Sequence, residues 1–186
     1  FIITDTNNCV DSNTISITSE SNMVVIASVT DISCKGFCDG AVNLAINNGG
    51  GIFIEDYSYD QNHTLENITF SNNIASTGGG IYIEGDNSEL NNIIINGNTA
   101  TVNSGGIYLE GDNHVLTAII VTYNNAGNGA GGVSINGDDN IITNLTATDN
   151  ETINLGSSNE GGGILITGNR NILNNITSLR NHADGR

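Results

Sequence analysis

The feature that most limits the fold of this chain is a sequence pattern that recurs five times between residues 49 and 186. The stretch GGGIYIEGDNSELNNIIINGNTA at residues 78–100 returns as GGIYLEGDNHVLTAIIVTYNNA from residue 105. Each copy contains a glycine pair, an apolar step and an asparagine, and successive asparagines lie 25 to 31 residues apart. One copy of this length cannot bury its own apolar face, but stacked copies can. The repeat therefore predicts a solenoid.

The apolar positions of the aligned copies indicate strands. They step by two and are rich in β-branched residues, whereas a helical repeat would place them at i, i+3, i+4 and i+7. We predict an all-β fold, a right-handed parallel β-helix of about five coils preceded by a short, immunoglobulin-like partial β-sandwich segment. The three apolar columns are Leu65, Leu90, Leu116, Ile142 and Leu173; Ile68, Ile93, Ile119, Leu145 and Ile176; and Phe70, Ile95, Val121, Ala147 and Ser178.

An asparagine occupies the same position in every copy. An inward asparagine at a corner of the coil can satisfy turn carbonyls and the amides of its neighbours where the backbone leaves the ladder. We therefore predict a structural ladder along the stack. Its members are Asn73, Asn98, Asn124, Asn150 and Asn181.

Two motifs in the repeat resemble known families. Phe70-Ser-Asn-Asn73 followed by Gly78-Gly-Gly-Ile81 resembles the repeat of chlamydial polymorphic outer membrane proteins. The later copy, Val121-Thr-Tyr-Asn124 before Gly131-Gly-Val133, keeps the asparagine and the glycines but lacks the phenylalanine. The Gly-Asp-Asn turns resemble those of pectate-lyase-like right-handed parallel β-helices. The resemblance implies the fold of residues 49–186 but no single function, because such proteins include lyases, hydrolases, adhesins and passive spacers.

Residues 1–48 lack the repeat. The run ITDTNNCVDSNTISITSES resembles the end of a SprB-type repeat of Bacteroidota gliding adhesins, and VVIASVTDISCKGFCDGAVNLAINNGG resembles the start of the next one. Those repeats are immunoglobulin-like sandwiches, so the resemblance implies a partial sandwich. We predict two units, a partial β-sandwich-like segment at 1–48 and a β-helix domain at 49–186, with an indistinct border over residues 49–60.

The charge of the chain excludes some partners. Four Lys and Arg stand against 20 Asp and Glu, which gives a net charge of −16. Such a surface cannot neutralise phosphates, so we expect no nucleic-acid partner, and no apolar run is long enough for membrane insertion. We predict no cofactor, with calcium as the alternative, because stacked carboxylates repel each other unless a cation bridges them. The calcium candidates are Asp86, Asp112 and Asp138.

Cysteine usage and glycosylation motifs are consistent with an extracellular or cell-surface location. Cys34 and Cys38 in CKGFC are the disulfide candidate, with free thiols as the alternative, and Cys9 is the odd residue. We expect Asn62 to be exposed in the longer loop of the first coil. The remaining N-x-S/T motifs have the problem that an inward asparagine cannot carry a glycan. The weaker glycosylation candidates are Asn67, Asn144, Asn150 and Asn175.

The sequence does not assemble an active site. Asp138 and Asp139 are adjacent in a turn and should not face one cleft, and the three histidines occupy different positions in their copies. We predict no enzymatic activity. The expected function is structural, in a segment of a bacterial surface adhesin, stalk or self-assembling filament that associates head-to-tail or continues in a longer chain. The alternative is a β-helix that binds or cleaves surface glycans, on an outward column containing Tyr82 and Tyr108.

Overall fold

The chain forms a parallel β-solenoid. A computed structural model describes residues 2–4, 10–12, 24–30, 41–47, 50–55, 63–153 and 161–183, and all of their regular secondary structure is β-strand. The strands are β1 Ile2–Thr4, β2 Val10–Ser12, β3 Val24–Thr30, β4 Ala41–Asn47, β5 Ile52–Glu55, β6 Thr64–Glu66, β7 Ile68–Ser71, β8 Ile74–Thr77, β9 Ile81–Glu84, β10 Glu89–Asn96, β11 Thr99–Asn103, β12 Ile107–Glu110, β13 Val115–Thr122, β14 Asn125–Asn128, β15 Val133–Asn136, β16 Ile141–Thr148, β17 Glu151–Thr152, β18 Ile164–Thr167, β19 Ile172–Leu179 and β20 His182–Ala183.

Each coil contributes one strand to each of three faces. Face 1 contains β6 with β7, then β10, β13, β16 and β19; face 2 contains β8, β11, β14, β17 and β20; face 3 contains β5, β9, β12, β15 and β18. Neighbours on a face pair in parallel, with the predicted columns in register, as in Leu90 beside Leu116. Five strands on a face correspond to about four turns from the first to the last. The structure thus confirms the all-β solenoid, and the hand of the coil stays a prediction.

The core is a stack of apolar side chains enclosed by the three faces. Ile93 and Ile119 on face 1, and Ile83 and Leu109 on face 3, are completely buried. Burying one such side chain contributes roughly 1.5–3 kcal/mol, so the stack is the main source of stability. The side chains of the third column become smaller along the rod. Phe70 is followed by isoleucine, valine and alanine, and the last coil has an exposed serine at this position.

A left-handed residue interrupts every long strand of face 1. It lies between the first and second apolar columns. Residues of these two columns are three positions apart in each coil, whereas a regular strand places successive inward residues two positions apart. Without the left-handed residue, the second column would point to solvent, because side chains alternate along a strand. The residue at this position has a φ of 52° to 56° in all five coils. The position is occupied by Asn67, Asn92, Ala118, Asn144 and Asn175.

The predicted border between residues 48 and 49 does not interrupt the sheet. Strand β4 pairs in parallel with β7, with Ala45 beside Thr69 and Asn47 beside Ser71, so it lies where a further coil of face 1 would lie. Strand β3 then pairs antiparallel to β4 and ends the sheet. Strands β1 and β2 form a separate antiparallel pair. The assignment of residues 1–48 to a partial sandwich stays a prediction.

In the part of the chain that the structure describes, no helix is long and apolar enough to cross a membrane.

Candidate functional surfaces

The predicted asparagine ladder runs along the corner between faces 1 and 2. Asn98 donates its backbone N–H and its side-chain Nδ2–H to Oδ1 of Asn124, at 2.8 and 3.0 Å. Asn124 makes the same two bonds to Asn150, and Asn150 makes them to Asn181. The second Nδ2 hydrogen goes to a carbonyl inside the rod, from Asn98 to Phe70 O at 3.1 Å. Each amide therefore joins three layers.

A second polar ladder occupies the corner between faces 3 and 1, and the sequence analysis did not predict it. The backbone N–H of Ser88 donates to Nδ1 of His114 at 3.2 Å, and the N–H of His114 donates to Oδ1 of Asn140 at 2.7 Å. Asn140 N–H continues the ladder to Oδ1 of Asn171 at 2.9 Å. Ser88, His114 and Asn140 are fully buried. Each lies two residues before the first apolar column, where strand alternation places a side chain inward.

The same ladder corrects the expectation that the histidines occupy unrelated positions. His63 and His114 both lie two residues before a column leucine, so they share one column, two coils apart. His114 Nδ1 accepts a hydrogen bond, which assigns the proton of the neutral ring to Nε2. Burial lowers the pKa of His114 to about 4, against the opposing effect of the Asp86 and Asp112 carboxylates. Nε2 of His114 and Nδ2 of Asn140 have no hydrogen-bond partner among the described residues.

The calcium candidates also form a ladder of direct hydrogen bonds. Asp112 N–H donates to Oδ1 of Asp86 at 2.8 Å, and Asp138 N–H donates to Oδ1 of Asp112 at 2.7 Å. Oδ1 of Asp138 accepts in turn from Asn169 N–H at 2.7 Å. Backbone amides thus stabilise these carboxylates without a cation. Across the described ranges, no three His, Cys, Asp or Glu residues come together as a group that could hold a metal ion.

Both basic residues of the described last coil are paired with aspartates one coil earlier. Arg170 donates from Nε and Nη2 to the two oxygens of Asp139, at 2.6 Å each, and its Nη2 also lies 3.4 Å from Oδ2 of Asp138. The adjacent aspartates that we expected to diverge therefore meet at one guanidinium. Hydrogen bonding to Arg170 lowers the pKa of Asp139. Arg180 forms a second bidentate pair with Asp149, at 2.6 Å.

An aromatic stack lies on the outer side of face 3. Phe53, Tyr82 and Tyr108 stack nearly parallel, with ring centroids 4.6 and 5.3 Å apart. The tyrosine hydroxyls donate to Glu84 Oε2 at 2.8 Å and to Glu110 Oε2 at 3.1 Å. Burial, and then the glutamate beside it, raises the pKa of Tyr108 to about 12, and the same causes raise the pKa of Tyr82. The outer surface of face 3 is therefore aromatic and acidic in its first three coils.

The glycosylation candidates fall into different environments. Asn150 is buried, and its Nδ2 donates to Asn181 Oδ1 and to Val121 O, so this nitrogen is enclosed by the fold. Asn144 and Asn175 are exposed at the left-handed position of face 1, and Asn175 Nδ2 donates to Asn144 Oδ1 at 2.7 Å. At Asn67, Oδ1 accepts from Asn92 Nδ2 at 2.7 Å. Asn62, and the disulfide candidates Cys34 and Cys38, lie outside the described residues.

No protein-family model, curated protein or solved structure matches the chain.

Proposed function

We propose that the chain is a structural, extracellular rod without catalytic activity, a segment of a bacterial surface adhesin, stalk or self-assembling filament. The hydrogen-bonded ladders support this proposal, because they join successive coils at two corners while the apolar core joins them inside. A stack that is bonded at every layer is suited to hold two ends at a fixed distance.

The observation that carries the proposal is the open last coil. Leu116 and Ile142 are fully buried in the middle of the first apolar column, but Leu173, which continues this column, is 45% exposed. Among the described strands, β19 has a paired neighbour on one side only. Exposed interior side chains beside an open strand edge favour the addition of another layer. In the proposed filament, a coil of another copy supplies that layer.

The proposal predicts that the 186-residue chain associates through its last described coil. A heterologous contact of this kind does not close on itself, so the assemblies should lengthen with concentration. The test is sedimentation of Leu173→Lys, with Ile172→Lys as the matched control. These neighbouring residues are similarly exposed, but only Leu173 continues an interior column. We expect Leu173→Lys to stop growth and Ile172→Lys to leave it unchanged; equal growth of both variants would contradict the proposal.

A glycan-binding or glycan-cleaving β-helix is the second candidate, and the stack of Phe53, Tyr82 and Tyr108 favours it. Aromatic rings beside carboxylates offer apolar contact together with hydrogen-bond acceptors for sugar hydroxyls. The test is binding and turnover on a panel of polysaccharides, with Tyr108→Ala compared with Tyr123→Ala, a tyrosine that is exposed outside the stack. Binding that only Tyr108→Ala abolishes supports this candidate, and the absence of binding excludes it for the panel.

A further inference from the structure

Face 1 carries a broad strip of surface without charge. We define the central band as the outward positions on either side of the third apolar column, in β7, β10, β13, β16 and β19. None of its residues is charged, although the chain as a whole has a net charge of −16. The central band consists of Thr69, Ser71, Ile94, Asn96, Ile120, Thr122, Thr146, Thr148, Thr177 and Leu179.

The central band exposes apolar side chains at its centre and at its end. Ile94 and Ile120 are adjacent in register and are 40% and 44% exposed, and Leu179 is also exposed. The five coils of face 1 therefore carry a continuous uncharged strip.

The other two faces are less suited to contact a second copy of the chain. Face 3 carries Glu55, Glu84 and Glu110 in one column, and the turns beside it carry the aspartate ladder. Two copies of this net charge can approach closely only where charge is absent. Face 2 is also poor in charge, but the register of β11 shifts against both of its neighbours, so this face is less regular than face 1.

We propose that two copies of the chain pair laterally through the central band, with the two rods antiparallel. In this arrangement Glu66 of the first coil opposes the uncharged Asn174 of the last coil in the other copy, and Glu89 of the second coil opposes the uncharged Ile141 of the fourth coil. Facing sheets pack closely when their side chains interdigitate, and the central band is rich in the β-branched residues threonine and isoleucine. The two-fold contact closes on itself, so it makes a dimer and not a fibre.

The size of face 1 is sufficient for a stable dimer. Five coils about 4.8 Å apart, each with about eight residues that rise about 3.3 Å, cover about 630 Å² per copy. Two copies would therefore bury roughly 1,270 Å² in total, which falls within the usual range of roughly 1,200–2,000 Å² for specific interfaces.

The experiment measures mass by sedimentation equilibrium in the Leu173→Lys background, which removes end-to-end growth. We expect a monomer–dimer equilibrium that tightens as salt rises, because salt screens the like charges around the neutral contact. Ile120→Glu should weaken the dimer at least about tenfold, because it buries an unpaired charge in the contact. The matched control is Asn136→Glu, which adds the same charge on the outer side of face 3 and keeps an acceptor for Thr167 Oγ1.

Each result decides the proposal. A dimer that Ile120→Glu dissociates and Asn136→Glu preserves supports pairing through the central band, provided that both variants unfold at the temperature of the parent chain. A strict monomer at all concentrations overturns the proposal. So does a dimer that both substitutions weaken equally. Should Ile120→Glu not fold, Thr146→Glu in the same column replaces it as the test. End-to-end assembly is tested separately by comparing Leu173→Lys with Ile172→Lys. The failure of one proposal therefore leaves the other intact.

Discussion

Asn98 and Asn124 are joined by two hydrogen bonds to a single oxygen, because the backbone N–H and the side-chain Nδ2–H of Asn98 both donate to Oδ1 of Asn124. The same carboxamide of Asn124 donates its Nδ2 hydrogens to Ile95 O, Thr122 O and Asn150 Oδ1. One buried side chain thus bonds to backbone groups of its own coil and of the coil before it. The corner between faces 1 and 2 depends on this residue type in every coil.

Replacing Asn124 with alanine should therefore destabilise the whole rod. The substitution removes the side-chain acceptor of the Asn98 N–H and a donor to the carbonyl of Ile95, and a buried group that is left unsatisfied costs about 1–3 kcal/mol. We expect the free energy of unfolding in urea to fall by about 2–5 kcal/mol. The control is Asn96→Ala, since Asn96 is exposed on face 1 and its side chain donates to Thr122 Oγ1 rather than to the backbone of a corner. Similar losses for the two variants would contradict a structural role of the ladder.

The stability of the rod should fall in mild acid because of His114. Its pKa is about 4 in the fold and about 6.5 when exposed, so the unfolded chain binds more protons between these values. The stabilising contribution of the neutral ring is complete above pH 6.5, and it is lost progressively as the pH falls towards 4. A difference of this size corresponds to roughly 3 kcal/mol. Protonation also gives Nδ1 a hydrogen, which ends its bond with Ser88 N–H.

His114→Asn isolates this effect, because asparagine occupies the same position in the next two coils. Asp86, Asp112 and His63, the charged and titratable side chains that act on the ring, are unchanged in this variant, so the difference between the two pH profiles reports the loss of His114. We expect the wild-type chain to lose more stability than His114→Asn between pH 7 and pH 4 in urea titrations. Parallel profiles would show that the ring does not titrate as the structure indicates.

Ala118→Asn should stabilise the chain. Ala118 has a φ of 56°, where a residue with a Cβ atom is strained by roughly 1–2 kcal/mol and asparagine is tolerated better. An asparagine there would also complete the column of left-handed asparagines between Asn92 and Asn144. Elsewhere in this column, the side chain of Asn92 donates to Asn67 and that of Asn175 donates to Asn144. We expect a gain of about 1 kcal/mol by thermal unfolding. Ala118→Gly separates the causes, because it relieves the strain without adding an amide; a less stable Ala118→Asn would refute the prediction.

Calcium should leave the melting temperature unchanged. Backbone amides already bond to Oδ1 of Asp86, Asp112 and Asp138, so the column does not require a cation. The measurement is thermal unfolding with calcium and with chelator, and Asp112→Asn serves as the control for a charge effect. A higher melting temperature in calcium, lost in Asp112→Asn, would restore the calcium hypothesis for this column.

The sequence was sufficient to predict the solenoid because the asparagine recurs in every coil and the first two columns stay apolar throughout. It was insufficient for the second corner, because serine, histidine and asparagine replace one another at this position and no single residue type recurs. The signal was present, because Ser88 and His114 lie two residues before an inward leucine. The step of three between Leu90 and Ile93 was likewise a signal for the left-handed residue. The pairing of β4 with β7 could not be predicted, because residues 41–47 carry no member of the asparagine ladder.

The open last coil is the central claim, and negative-stain electron microscopy of the purified chain tests it most directly. The chain should be imaged over a range of concentrations, with and without calcium, beside Leu173→Lys and Ile172→Lys. The account predicts end-to-end assemblies that lengthen with concentration, regardless of calcium, and that only Leu173→Lys abolishes. Dispersed short particles of the wild-type chain at every concentration would contradict it.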